Sequence, residues 1–180
     1  MSKVCETVNK CTQMGVEVGI VVGGGNFWRG VKDGAGHVER VSADRMGMLA
    51  TAMNCLAFAD VLRQSGGEAK VLTAVDIQGV GERYSTDKAI EYLKSGKVVM
   101  FGCGTGCPFF STDTAAVLRA AEIGADAILL AKNIDGVYSA DPKVDPSAVK
   151  YDSISYDDVL AQHLAVMDST ATSLAMDNDI

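Results

Sequence analysis

The sequence predicts an α/β fold with a mostly parallel sheet and helices on both of its faces. Three observations carry that prediction. Short apolar runs alternate with helical stretches along the chain, the order that buries a parallel sheet between helices. Two of the runs break abruptly into glycine-rich loops, as strands do where an open α/β sheet meets its ligands. The length, 180 residues, fits one domain and is enough to bury a sizeable core.

Each element follows from a local pattern. Val4, Val8 and Cys11 recur at i, i+4 and i+7 and predict a helix over 2–14, stopped at Gly15. Residues 16–22 read as a buried strand, broken by Gly23-Gly24-Gly25-Asn26. Residues 27–42 read as irregular, with glycines at 30, 34 and 36. A long helix rich in Ala, Met and Leu is predicted over 43–64, with Met46, Met48 and Met53 as packing residues, and it stops at Gly66-Gly67. Residues 69–74 are a short strand and 75–84 stay open. A helix over 85–94 ends at Ser95-Gly96, and 97–103 is a second clear buried strand. A helix over 113–123 ends at Gly124, and 126–131 is a third apolar strand.

Asp135-Gly136, Asp141-Pro142 and Asp145-Pro146 predict turns over 133–150, with room for a short hairpin. Ser155 with Asp158 three residues on opens a further helix. A last helix covers 170–178. There is no internal repeat, low-complexity tract or linker. The chain opens on a helix and closes at Asp179-Ile180 without a terminal element, so the fold is expected to be incomplete at both ends.

Composition narrows the function. Sixteen Lys and Arg against 23 Asp and Glu give a net charge of −7, which argues against a nucleic-acid binder. An anionic ligand must then be held locally, by backbone N–H groups and a few cations. No apolar run reaches the length of a membrane span, and the segment Met1–Glu6 has no secretory apolar core. Five cysteines, an odd number, read as a reduced cytoplasmic protein. Cys103 and Cys107 lie four apart, but His37 and His163 are not at zinc-finger spacing, so no metal site is assigned.

Two strand-end loops have the chemistry of a ligand site. Gly23-Gly24-Gly25-Asn26-Phe27-Trp28-Arg29-Gly30 allows close backbone approach and inward N–H groups that suit a phosphate, with Arg29 as a cation. The alternative is a glycine turn with Trp28 as a packing residue. Gly104-Thr105-Gly106-Cys107-Pro108-Phe109-Phe110-Ser111-Thr112-Asp113 joins a strand to a helix and places hydroxyls and a carboxylate at the helix N-terminus. Thr112 or Asp113 would cap that helix in any case. Asp44, near the start of the long helix, accepts from ligand hydroxyls or simply favours the helix dipole. Lys132-Asn133 faces a phosphate or solvent. Tyr138 and Asp141 flank a turn and could hold a base and a ribose. Asp168 is a helix cap or a site carboxylate, and His37 and His163 read as surface residues. Gly-x-x-x-x-Gly-Lys-Ser/Thr, Gly-x-Ser-x-Gly and His-Glu-x-x-His are all absent.

Taken together, Val21–Gly30, Ala43–Thr51, Gly104–Ala116, Asp135–Pro142 and Val166–Ala171 resemble, in order and nearly in spacing, the motifs of the bacterial uridylate (UMP) kinases. The resemblance runs the length of the chain. It implies the amino-acid-kinase (carbamate-kinase-like) fold, an αβα sandwich, and transfer of the γ-phosphoryl of Mg-ATP to UMP in pyrimidine nucleotide (CTP) synthesis. It further implies a cytoplasmic homohexamer with GTP and UTP as effectors, and Mg²⁺ entering with ATP. By position, it assigns UMP to Gly24, Asp44, Thr105, Gly106, Cys107, Pro108, Phe109, Phe110, Ser111 and Thr112. Gly25 and Arg29 would lie on the transferring phosphate, and Lys132 or Asn133, Tyr138 and Asp141 would hold ATP. Asp113 would organise the catalytic cations, with Lys132 and Arg29 also catalytic.

The sequence departs from the family at three places. It has no strand with a Lys-Leu-Ser-Gly-Glu loop, no apolar strand beyond Asn178-Asp179-Ile180, and Cys107 where the family usually has asparagine. Leu130–Ile134 also differs from the commonest form. These 180 residues alone are therefore expected to be inactive or nearly so. The alternative is a non-catalytic nucleotide-binding fragment or regulatory pseudo-kinase. A carboxylate or carbamate acceptor on the same fold is a further reading, which Asp44 and Thr105–Thr112 weigh against.

Overall fold

The computed structural model describes residues 1–29 and 37–180. Gly30, Gly34, Gly36 and the rest of 30–36, within the irregular stretch predicted over 27–42, lie outside them. The elements are α1 (Ser2–Gln13), β1 (Gly19–Val21), α2 (Arg40–Gln64), β2 (Ala69–Thr73), β3 (Glu82–Arg83), α3 (Thr86–Lys94), β4 (Val98–Gly102), α4 (Thr112–Ile123), β5 (Val137–Tyr138), β6 (Lys150–Tyr151), α5 (Tyr156–Ala161) and α6 (Ser169–Asp177).

Among the described residues, one sheet has the order β1-β4-β2-β3 and is parallel throughout. Gly19 pairs with Val99, Ala69 with Val98 and Leu72 with Glu82. Period-two alternation sorts the apolar side chains of β4 onto the two faces. Val98 and Met100 join Cys5, Cys55, Ala59 and Leu62 beneath α1 and α2. Val99 and Phe101 join Ala89 and Leu93 of α3 and Ile123 of α4 on the other side. The result is the three-layer sandwich the sequence predicts. A third cluster, Val117 with Ala171 and Ala175, docks α6 onto α4. β5 and β6 form the short antiparallel hairpin expected within 133–150.

Three expectations need correction, and one open stretch is resolved. Residues 126–131 form no strand: Ile128 packs on the α4–α6 cluster, while Leu129 is 93% exposed. An apolar run becomes a strand only where a neighbour completes its ladder, and no described strand pairs with this one. The open stretch 75–84 instead supplies β3, whose two polar residues are strand only because they pair with β2. Ser111, not Thr112 or Asp113, caps α4, its hydroxyl accepting from Thr114 N–H. Met46 and Met53 are not packing residues. With Leu49 and Leu56 they form an exposed stripe on α2 at i, i+3, i+7 and i+10.

Candidate active site

β1 and β4 are adjacent and parallel, so their carboxyl ends release both glycine loops on the same side of the sheet. The first loop lies flat on α2. A Cβ built on Gly24 would stand 2.7 Å from Gly47 O and 2.8 Å from the Ala50 Cβ, so only glycine fits there. Gly24 O accepts from Phe27 and Trp28 N–H, both at 3.0 Å. The Trp28 indole donates to Ala43 O at 2.9 Å, so this residue packs on α2 and lines the site as well. Asn54 of α2 donates to Gly23 O at 2.7 Å and exchanges hydrogen bonds with Asn26. Arg29 Nε donates to Gly25 O at 2.9 Å.

The second loop is conformationally demanding. Cys103, Gly104, Gly106 and Phe109 all have positive φ, at 65°, 58°, 82° and 72°. For Cys103 and Phe109, which carry side chains, that region costs on the order of 1–2 kcal/mol each. The surroundings hold the loop at successive points. Cys103 N–H donates to Thr51 Oγ1 at 2.8 Å, and Arg119 Nη2 donates to Gly104 O at 3.2 Å. Phe109 N–H donates to Asp44 Oδ2 at 2.8 Å. Arg40 Nε reaches both Asp44 oxygens, at 3.0 and 2.8 Å, and its guanidinium lies 5.2 Å from the Phe109 ring centre.

Asp168 pins the end of the loop. It caps α6 by accepting from Ala171 N–H at 3.0 Å, and it also accepts from the Ser111 and Thr114 hydroxyls. It is thus the helix cap of the two readings, and it reaches the site only through Ser111, which lines the cavity. Burial pushes its carboxyl up. The Ser111 hydroxyl, the Ala171 N–H and the Thr114 hydroxyl outweigh that and hold it below the usual carboxylate range.

Between the two loops and α2 lies a cavity of about 190 Å³. Of the predicted residues, Gly24, Gly25, Asp44, Thr105, Cys107, Phe110, Ser111 and Thr112 line it. Gly106, Pro108 and Phe109 belong to the same loop but are not part of the lining. Cys107 is exposed, and its N–H donates to Thr105 Oγ1 at 3.1 Å. The start of α4 supplies unpaired N–H groups and a positive dipole end, so the cavity suits an anion at its floor and hydroxyls near Asp44.

The residues expected to hold ATP lie outside that lining. Lys132 Nζ is 3.1 Å from Asp113 Oδ2 and donates to Val166 O at 2.6 Å, tying α4 to the chain before α6. It is therefore engaged rather than simply solvated. Tyr138, on β5, donates to Asp135 Oδ1 at 2.9 Å, and Lys150 of β6 meets Asp135 Oδ2 at 2.9 Å. Lys150 and then Tyr138 hold the Asp135 carboxyl below its ordinary value. Asp141 accepts from Lys143 N–H at 2.9 Å in a turn, and Asn133 is exposed. His37 and His163 are exposed, as expected. Thr51, Arg40 and Arg119 are missing from the sequence-based set. Arg40, four residues before Asp44 on one helix, was readable as an i,i+4 ion pair.

Known proteins share this fold. The chain is similar to the solved UMP kinase of Bacillus anthracis, at 39% identity and a TM-score of 0.93, covering 98% of this chain and 73% of that one. It is similar to the UMP kinase of Ureaplasma parvum at 37% identity and a TM-score of 0.94, covering 99% and 76%. The uridylate kinase of Archaeoglobus fulgidus follows at 28% and 0.71, covering 98% and 78%. The family model described as the amino acid kinase family matches residues 1–180, and the chain belongs to that family.

Proposed function

We propose that the chain is a uridylate kinase, transferring the γ-phosphoryl group of ATP to UMP to give UDP and ADP in pyrimidine nucleotide (CTP) biosynthesis. One observation carries the reading. Gly24, Asp44 and the Thr105–Thr112 loop meet at a single cavity, in a chain 39% identical to a protein solved as a UMP kinase. Asp44 faces the ribose hydroxyls. The N-terminus of α4, with Ser111 and Thr112, receives the acceptor phosphate. Gly25 and Arg29 lie toward the transferring phosphoryl, and Lys132, Asn133, Tyr138 and Asp141 hold ATP. A UMP phosphate oxygen forms the new bond to the γ-phosphorus as the bond to the β,γ-bridging oxygen breaks, and ADP leaves with that electron pair. Such transfer depends on positioning and on neutralised charge rather than on a covalent intermediate.

Mg²⁺ fits the residues present. Magnesium binds through one or two carboxylates and takes its other oxygens from phosphates and water. Asp113, in the first turn of α4 beside the Thr112 hydroxyl, is such a carboxylate. When bound, the ion would neutralise charge developing on the phosphoryl oxygens. Lys132 would hold the Asp113 carboxylate in place.

Calorimetric titration tests the acceptor assignment. UMP is expected to saturate the folded chain and CMP to be excluded; a folded chain that binds neither overturns the assignment. UMP-dependent ADP release by these residues alone is expected to be slow, because no Lys-Leu-Ser-Gly-Glu segment is among them.

We also infer that the chain acts in the cytoplasm as a homo-oligomer, a hexamer by resemblance, with GTP and UTP as effectors. No helix among the described residues is long and apolar enough to cross a membrane. The Met46, Leu49, Met53 and Leu56 stripe supports self-association, because its spacing is that of an interhelical seam. Leu49→Asp with Met53→Asp is expected to weaken self-association about a hundredfold, since each side chain buried in an interface contributes about 1.5–3 kcal/mol. Sedimentation would show the mass fall; an unchanged mass would rule this face out.

A further inference from the structure

We propose that Arg119 is a positioning residue of the acceptor site, orienting the peptide between Gly104 and Thr105 so that the Thr105 N–H serves the cavity as a donor to the acceptor ligand. The identity of that ligand rests on the UMP reading above. The geometry itself does not.

Arg119 is the one buried charged side chain among the described residues, at 5% exposure. Its Nη1 meets Glu122 Oε2, which also accepts from the Tyr84 hydroxyl at 2.6 Å. Its guanidinium lies 3.9 Å from the Tyr84 ring centre. Those partners neutralise and support the charge, and neither is hydrogen-bonded to the loop. The remaining arm, Nη2, reaches across to Gly104 O at 3.2 Å. A buried ion pair is a poor way to gain stability, because apolar packing of similar volume does as well or better. The feature an apolar residue could not reproduce here is the grip on the Gly104 carbonyl.

That grip fixes a direction. In a planar trans peptide the C=O and the following N–H point opposite ways. With Gly104 O held toward α4, the Thr105 N–H is turned away from Arg119, and both Gly104 and Thr105 line the cavity. Among the described residues no acceptor meets the Thr105 N–H. Downstream, Gly106 N–H bonds Cys103 O at 3.0 Å and Cys107 N–H bonds Thr105 Oγ1 at 3.1 Å, so these donors are used internally. The Thr105 N–H, whose peptide Arg119 holds, is thus among the donors this loop leaves for a ligand, with those at the start of α4. Gly104 is itself left-handed and has no Cβ to restrict the peptide that follows it, so the orientation of that peptide depends on the bonds it makes.

Native-state amide exchange and UMP titration of Arg119→Met, Arg119→Lys and Tyr84→Phe test this. Tyr84→Phe removes a hydrogen bond from the same network without touching Gly104, so it reports what general loosening alone does. In Arg119→Met the Gly106, Cys107 and Phe109 amides are expected to exchange about tenfold faster, relative to Ala175 in α6, and UMP affinity to fall about tenfold. Arg119→Lys should recover part of both. Tyr84→Phe should leave both within about twofold of the unmodified chain. Unchanged loop exchange in Arg119→Met overturns the proposal, as does faster exchange with undiminished UMP affinity. If Arg119→Met does not fold, Arg119→Lys against Tyr84→Phe gives the same comparison, and equal behaviour of the two overturns it. If the unmodified chain binds no UMP, the acceptor reading falls, and loop exchange alone decides the role of Arg119.

Discussion

Gly24→Ala is expected to lower UMP affinity by at least about tenfold and to destabilise the fold by about 1–3 kcal/mol. The added methyl would sit 2.7 Å from Gly47 O and 3.1 Å from Thr51 N, both backbone atoms of α2. A rotamer change cannot relieve a backbone clash, so the loop itself must lift. Lifting it strains the Asn54 bond to Gly23 O and the Phe27 and Trp28 bonds to Gly24 O, and it moves one wall of the cavity. Gly47→Ala is the matching control for stability. A methyl at Gly47 meets nothing within 4 Å, and α2 should gain about 0.5–1 kcal/mol from the better helix former. Urea unfolding with UMP titration separates the two effects. Equal stabilities and affinities for Gly24→Ala and the unmodified chain would mean the loop does not pack on α2 as described.

Asp168→Ala should cost about 2–4 kcal/mol. The α6 cap accounts for about 1 kcal/mol, and the rest comes from leaving the Ser111 and Thr114 hydroxyls without their acceptor, the latter on a residue only 4% exposed. The sign of the pH dependence follows from the depressed carboxyl. Its folded value lies below the unfolded one, so Asp168 contributes full stability above the unfolded value of about 3.9 and loses it as the pH falls through the folded value. Urea midpoints from pH 7 down to pH 2 should therefore fall more steeply for the unmodified chain than for Asp168→Asn. Parallel curves would assign the acid sensitivity elsewhere.

Much of this was legible in the sequence because it is carried by runs rather than by single contacts. The strands at 69–73 and 98–102 are continuous apolar stretches, and both faces of β4 are indeed covered. The glycine loops were readable because a buried strand that breaks into glycines marks backbone brought close to something else, and Asp44 stands at the start of the helix that packs there. What escaped depends on partners distant in the chain. Residues 126–131 have strand composition but no described neighbour to pair with, whereas Glu82–Arg83 have none of that composition and a partner in β2. Met46 and Met53 follow a packing pattern and face outward, which a periodicity cannot distinguish from inward. Arg119 left a weaker trace, a charge four residues after the buried Ala115 and directly before the buried Ala120.

The sheet order has a consequence for how the chain is made. Among the described strands β1 is hydrogen-bonded only to β4, and Gly19 pairs with Val99, eighty residues later. At a synthesis rate of about 5–20 residues per second, β1 waits roughly 4–16 s before its partner has been translated. During that time α1 and α2 can form, but the sheet between them cannot close. The nascent chain therefore carries β1 without its β4 partner, and the apolar undersides of two helices, for seconds. The step that ends this exposure is the emergence of 98–102, so slow codons just upstream of that segment would prolong it and fast ones would shorten it.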